Sequence, residues 1–180
     1  MTQEVTMPTD PLHALRLPAE PVAPNPEFAA ELRRRIERTL MPTTNLPYVP
    51  ARLHAVTPYL AVNDARAAIA WYKQIFGAVD VSEPIIMDDG RVGHAEIAIG
   101  DAVLMISDEW PELDVLGPTS RGGPTSSFVI YVPDVDATFA AALEAGAKMD
   151  RPVEDQFHGS RAGWFVDPWG HRWNVGTPIS

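Results

Sequence analysis

Residues 56–77, VTPYLAVNDARAAIAWYKQIFG, and residues 126–147, SSFVIYVPDVDATFAAALEAGA, decide the reading of this chain, because they are one pattern written twice. Each begins with a short run of apolar and β-branched residues, the pattern of a strand. Each continues through an aspartate, Asp64 or Asp134, of the type that caps a helix N-terminus. A helical stripe follows: Ala65, Ala68, Ile69, Tyr72, Ile75 and Phe76 in the first copy, and Val135, Thr138, Phe139, Ala142 and Leu143 in the second. Gly77 and Gly146 stand where a helix would end in a left-handed residue. In this register Val62 answers Val132, and Phe76-Gly77-Ala78 answers Ala145-Gly146-Ala147.

Working outward, each helix is followed by strand and turn signals over about thirty residues. After the first come VDVSEPII, the turn Asp88-Asp89-Gly90, VGHAEIAIG and DAVLMIS; after the second come KMDRPVED, RAGWFVD, the turn Pro168-Trp169-Gly170 and RWNVGT. Each half therefore reads β-α-β-β-β, with module one over residues 56–107, a loop over 108–126 and module two over 127–177. The fold class expected is α+β: two such modules form a strongly curved eight-stranded sheet around a cleft, with the helices on the outer face. Side chains alternate across a strand. Ala95, Ile97 and Ile99 then face the helices, and His94 and Glu96 face the cleft. Trp173 alternates with Asn174 and is expected under the helices.

Residues 1–55 differ in kind. They hold nine of the eighteen prolines within the first fifty positions and none of the twelve glycines. Prolines this frequent deny the segment a long helix or central strand before residue 26. One helix is expected over about 26–41, with Asn25 as cap, Pro26 at its first position and a stripe of Phe28, Leu32, Ile36 and Leu40. This is an N-terminal helical arm that docks its stripe on the domain of residues 56–180 or on a second subunit. Arg33, Arg34, Arg35 and Arg38 share the helix with Glu27, Glu31 and Glu37, which weakens any reading of an anion-binding helix.

Composition excludes several classes. With 46% apolar and 21% charged residues in 180, a sizeable core can form. There is no cysteine, so disulfides, thiolate zinc sites and cysteine nucleophiles are ruled out. No apolar run approaches the ~20 residues of a membrane span, and no leader pattern opens the sequence, so the expectation is a cytoplasmic protein with no membrane partner. The net charge of −10 repels a polyanion on average, which argues against nucleic acid. Walker, G-x-G-x-x-G, G-x-S-x-G and H-E-x-x-H patterns are missing.

The runs YLAVNDARAAIAWYKQIFGA, GRVGHAEIAIGDAVLMISDE, YVPDVDATFAAALEAGA and DQFHGSRAGWFVDPWGHRW resemble the vicinal oxygen chelate superfamily. That group holds glyoxalase I, extradiol dioxygenases and the fosfomycin and bleomycin resistance proteins, and the likeness is greatest to its PhnB-type, glyoxalase-like branch. The resemblance covers residues 56 to about 177. It implies paired modules around a cleft, commonly in a homodimer. It also implies a divalent metal held by four inward side chains, on the first and last strands of each module. Those positions here are Thr57, Met105, Ser127 and Asn174. A hydroxyl, a thioether and an amide do not replace imidazole and carboxylate, so no metal cofactor is expected.

The leading expectation is thus a metal-free protein that binds a small organic molecule in the inter-module cleft, for resistance or sequestration. The candidate ligand-binding residues are Tyr59, His94, Glu96, Met105, Tyr131, Arg161 and Trp164; Arg161 is included because a guanidinium suits a carboxylate or phosphate. A second reading is a lyase, isomerase or dioxygenase. It would use His94 and Glu96 as an acid–base pair, or an atypical metal site with a third ligand from His158 or His171. A third is an interaction module acting through the arm.

Overall fold

The structure is a computed structural model that describes residues 25–40 and 46–179, the side chains of 34–40 excepted. It falls into two compact units divided at Asn45 and Leu46. The first contains the helix α1 (Pro26–Leu40), where the arm's helix was expected. The Asn25 Oδ1 accepts from the backbone N–H of Glu27 at 2.8 Å, capping the first turn. Ile36 and Leu40, half of the expected stripe, lie outside the described side chains.

The second unit carries the repeat. In chain order it runs β1 (Tyr59–Val62), α2 (Ala65–Phe76), β2 (Val79–Asp80), β3 (Ile85–Ile86), β4 (Val92–Ile99) and β5 (Ala102–Asp108). A short 3-10 turn at Pro111–Leu113 and α3 (Pro118–Arg121) make the connection. Then come β6 (Ser127–Tyr131), α4 (Val135–Glu144), β7 (Lys148–Gln156), β8 (Ser160–Val166) and β9 (Arg172–Pro178). The α+β class and the two modules are as the sequence reading has them. The first sheet is ordered β1-β5-β4-β2, with β3 also on β4, and the second β6-β9-β8-β7. Among the described residues there are nine strands and not eight, because the strand expected over VDVSEPII is split. Pairing with β4 continues through Val81 and stops before Pro84, which has no N–H to donate. In both sheets the module's first strand lies parallel to its last: β1 on β5 and β6 on β9.

Both caps form as read. Asp64 Oδ1 accepts from the N–H of Ala67 and Asp134 Oδ1 from that of Ala137, each at 3.0 Å. Gly77 closes α2 with φ +65°, a left-handed conformation that a Cβ would strain. Asp108 then fixes where α2 starts, its two oxygens accepting from the backbone N–H of Ala65 and of Val92.

One core serves both modules. The buried faces of β1, β4 and β5 (Leu60, Val62, Ala95, Ile97, Leu104, Ile106) and of β8 and β9 (Phe165, Trp173, Val175) belong to a single cluster with α2 and α4. Helix α2 buries more than the expected stripe: Trp71, beside Tyr72, is buried as well. The reason is that α2 touches the second module. Trp71 Nε1–H donates to Ala145 O at 2.9 Å, and the Trp71 ring meets Phe165 and Trp169 edge-on. Trp173 lies against Tyr72, Phe76 and Phe128, under the helices as expected. Where β8 passes beneath α4 the residue is Gly163. A Cβ there would stand 2.8 Å from Phe139 Cε2 and 2.9 Å from Val153 Cγ2.

Asp167, read from sequence only as part of a turn, is 3% exposed and accepts four hydrogen bonds. Oδ2 takes the Tyr72 hydroxyl at 2.6 Å and Trp173 Nε1–H at 2.9 Å; Oδ1 takes the backbone N–H of Trp169 and His171. His171 is buried too, its Nε2 3.3 Å from Ala61 O in the other module. Burial lowers the His171 pKa below the ordinary 6.5, against the opposing pull of Asp167. The unfolded chain therefore binds this proton more tightly than the folded one. Stability from a neutral His171 is present above about pH 6.5 and drains as pH falls below that value toward the lowered folded pKa. Urea midpoints should drop between pH 7.5 and 5, and His171→Gln should flatten that acid limb. An equal drop in the variant would assign the effect elsewhere.

Candidate functional site

Strand alternation turns one face of each sheet to the core and leaves the other outside it. In the first sheet, register places Tyr59, Met105 and Glu96 in one row across β1, β5 and β4, with His94 one step along β4. The structure joins three of these. The Tyr59 hydroxyl lies 2.9 Å from His94 Nδ1, and the two rings are tilted at 5.5 Å between centroids. His94 Nε2 lies 3.5 Å from Glu96 Oε1. With the ring proton on Nε2, both contacts are served at once.

Glu96 is 7% exposed, although it sits on the face away from the core. Its cover includes Arg52, from the segment before β1, whose Nη2 is 3.0 Å from Glu96 Oε2. The contact is an ion pair without hydrogen-bond alignment, so among the described residues Oε2 has no aligned donor although it is shielded from solvent. The folded unit thus begins before residue 56. His54 Nε2 is also 3.0 Å from Asp101 O, tying the same segment to the β4–β5 turn.

The equivalent row of the second sheet is Val129, Asn174 and Trp164. Here two guanidinium groups gather at the aromatic ring, one of them paired with Asp150. Arg172 places its guanidinium 4.0 Å from the Trp164 ring centre, and Arg151 stands 5.8 Å from it. Arg172 also donates to Asp150 Oδ2 and, from Nη1, to Ser127 Oγ at 3.1 Å. Tyr131 is exposed on this strand. Among the described residues no hydrogen bond, ion pair or ring contact joins Tyr59, His94, Glu96 or Met105 to Tyr131 or Trp164.

Arg161 is a correction. It alternates with Trp164 so as to fall on the face of Phe165, beside α4. There its Nε and Nη2 bind Asp136 at 2.7 and 2.8 Å, and Nη1 binds Asp155 at 3.0 Å. Its charge is already matched by two carboxylates on the wrong side of the sheet for the cleft. His158 pairs with Ser160 Oγ at 3.0 Å and His171 with Ala61 O, so neither joins His94 and Glu96. Among the described residues no three histidine, aspartate or glutamate side chains converge as metal ligands.

The four positions where the resemblance implies metal ligands do not fit a divalent ion. Thr57 donates its hydroxyl to His54 O, and Asn174 donates its amide to Gly163 O. Met105 offers only a thioether. Ser127 already receives a guanidinium N–H, which puts a fixed cation where a second cation would have to bind. Arg172 and Arg151 were not among the sequence candidates, though alternation from Trp173 would have placed Arg172 beside Asn174. Arg52 left no such signal, being outside any periodic segment.

Comparison with known proteins agrees with this architecture. The family model of the Glyoxalase/Bleomycin resistance protein/Dioxygenase superfamily matches residues 52–175. An uncharacterized protein of Mycobacterium bovis is 38% identical over 128 residues, 69% of this chain and 84% of its own length. Among solved structures, a PhnB protein from Bacillus cereus superposes with a TM-score of 0.56 at 18% identity, covering 69% of this chain and 99% of that one. TioX from Micromonospora sp. ML1 gives 0.53 at 23% identity, over 71% and 98%.

Proposed function

Because the chain belongs to the glyoxalase/bleomycin resistance protein/dioxygenase superfamily, we propose that it uses the superfamily's sheet faces to bind a small organic molecule without a divalent metal, in a resistance or sequestration role. The observation that carries this reading is the replacement of the metal-ligand set by Thr57, Met105, Ser127 and Asn174, with Arg172 bonded to Ser127. In metal-dependent chemistry the ion supplies the electrophile, and a site with a resident guanidinium and three neutral donors does not recruit one. The faces that remain are furnished for an organic ligand: Tyr59, His94 and Met105 on one sheet, Trp164 and Tyr131 on the other.

The same reading includes a homodimer. One sheet face carries the carboxylate of Glu96 and the other the guanidinium groups of Arg172 and Arg151 beside Trp164. Set opposite each other across two copies, each face would form one wall of a closed cleft, Tyr59, His94 and Met105 on one side and Trp164 and Tyr131 on the other. A second reading, an acid–base enzyme, is favoured by the Tyr59–His94–Glu96 chain of contacts, which would orient the imidazole for proton transfer.

Native mass spectrometry of the purified protein, with elemental analysis, tests the proposal. The expected result is a dimer mass, a copurified or added organic ligand, and no stoichiometric Ni, Zn, Fe or Mn. Adding those ions should leave the melting temperature unchanged, since a ligand bound only to the native state would raise it. A metal-to-protein ratio near one, with a thermal shift removed by chelator, overturns the metal-free reading.

A further inference from the structure

Among the described residues two carboxylates are buried, Asp167 and Glu96, and the fold treats them very differently. Asp167 accepts four hydrogen bonds from the hydroxyl, indole and backbone groups around it. Glu96, 7% exposed, has His94 Nε2 at 3.5 Å on one oxygen and no aligned donor on the other. A carboxylate held away from water with its lone pairs unserved is costly, and each unsatisfied polar atom at such depth asks for a partner. The partner present is Arg52, and it is an awkward one. Its side chain is 58% exposed, it comes from an irregular segment, and it meets Oε2 out of hydrogen-bond alignment.

We propose that Glu96, Tyr59 and His94 form a binding site for an organic cation, a protonated amine, amidine or guanidine, and that Arg52 is an internal occupant which such a ligand displaces. The proposal rests on the small-molecule-binding reading above and names the charge and class of the ligand. Exchange of one cation for another keeps the buried carboxylate compensated throughout, whereas a neutral or anionic ligand entering here would leave it bare. The walls suit the same chemistry. Tyr59 is 53% exposed with its ring held against His94, which in turn reaches Glu96, so an aromatic ring and a carboxylate on one sheet face can both attract a cation. Met105, next to both in the row, adds a polarizable apolar contact. A planar amidinium or guanidinium can place two N–H groups on Glu96 in the alignment Arg52 lacks.

The test uses the full chain and three probes of one shape: benzamidine (cation), benzamide (neutral) and benzoate (anion), each titrated against the amide NMR spectrum. Benzamidine should shift the amides of residues 52, 59, 94 and 96 saturably, and the other two should not. Arg52→Ala should tighten benzamidine about fivefold, the size expected when an exposed ion pair no longer competes. Arg52→Gln serves as the second variant, keeping the stem of the side chain while removing its charge, should the alanine variant fold poorly. Glu96→Gln should abolish the preference for benzamidine over benzamide. Equal binding of benzamidine and benzamide at this face overturns the cation proposal while leaving small-molecule binding standing. So does tighter binding of benzoate. Absence of benzamidine binding in a folded Arg52 variant also overturns it, and the wider reading is then decided separately by the copurified-ligand measurement.

Discussion

Replacing Asp167 by alanine is expected to unfold the protein at modest denaturant concentrations, with a loss of about 3–5 kcal/mol. The side chain is where the two modules meet. It receives the Tyr72 hydroxyl from α2 in one module and the Trp173 indole, with two backbone N–H groups, in the other. Removing it strands four donors in a region that water does not reach, and each stranded donor carries roughly 1–3 kcal/mol of lost solvation. The backbone pair will relax toward other acceptors, which holds the total below the simple sum. Tyr72→Phe, removing one donor and leaving the acceptor with three, should cost only about 1 kcal/mol. Urea unfolding of the two variants measures the contrast. An Asp167→Ala midpoint within experimental error of Tyr72→Phe would show that the carboxylate is not the tie between modules.

The second large effect is expected at Ile97. It is fully buried on β4, in the cluster shared with α2, and Ile97→Ala should cost about 2–5 kcal/mol by opening a cavity the helices cannot collapse into. Trp164→Ala is the counterpart. It removes a larger side chain from the opposite face of its sheet, where the ring stands beside two guanidinium groups and outside the core. Its midpoint should move by less than about 1 kcal/mol, with the consequence falling on ligand binding. If Trp164→Ala destabilises as much as Ile97→Ala, the face assigned to ligand is instead part of the packing.

The parts of the fold legible in sequence are those set by local periodicity. The caps at Asp64 and Asp134, the left-handed Gly77, the β4 alternation that separates Ile97 from Glu96, and the buried place of Trp173 all follow from spacing alone. Arg161 was read as a ligand residue from the chemistry of its guanidinium, whereas simple parity with Phe165 already set it on the helix side, where Asp136 and Asp155 take its charge. What sequence could not show is long-range. Asp167 has the look of a hairpin residue, and its four donors come from both modules. Arg52 lies in a segment with neither period nor cap, and only the folded path brings it to Glu96. Trp71 falls off the predicted stripe of α2 because that stripe counts one buried face, and the helix has two.

The parallel pairing of each module's first strand with its last has a consequence for how the chain is made. On the ribosome, β1 cannot find β5 until residue 108 has emerged, so roughly fifty residues wait before the first sheet can close. Even then α2 is incomplete, since the Tyr72 hydroxyl meets an acceptor 95 residues further on and Trp71 and Phe76 await Phe165 and Trp173. A ring-studded helix side is thus displayed throughout synthesis of the second half. Such a nascent chain is a natural client for a holding chaperone, and a pause or truncation anywhere before Trp173 would release a half-built product with its stickiest surface outward.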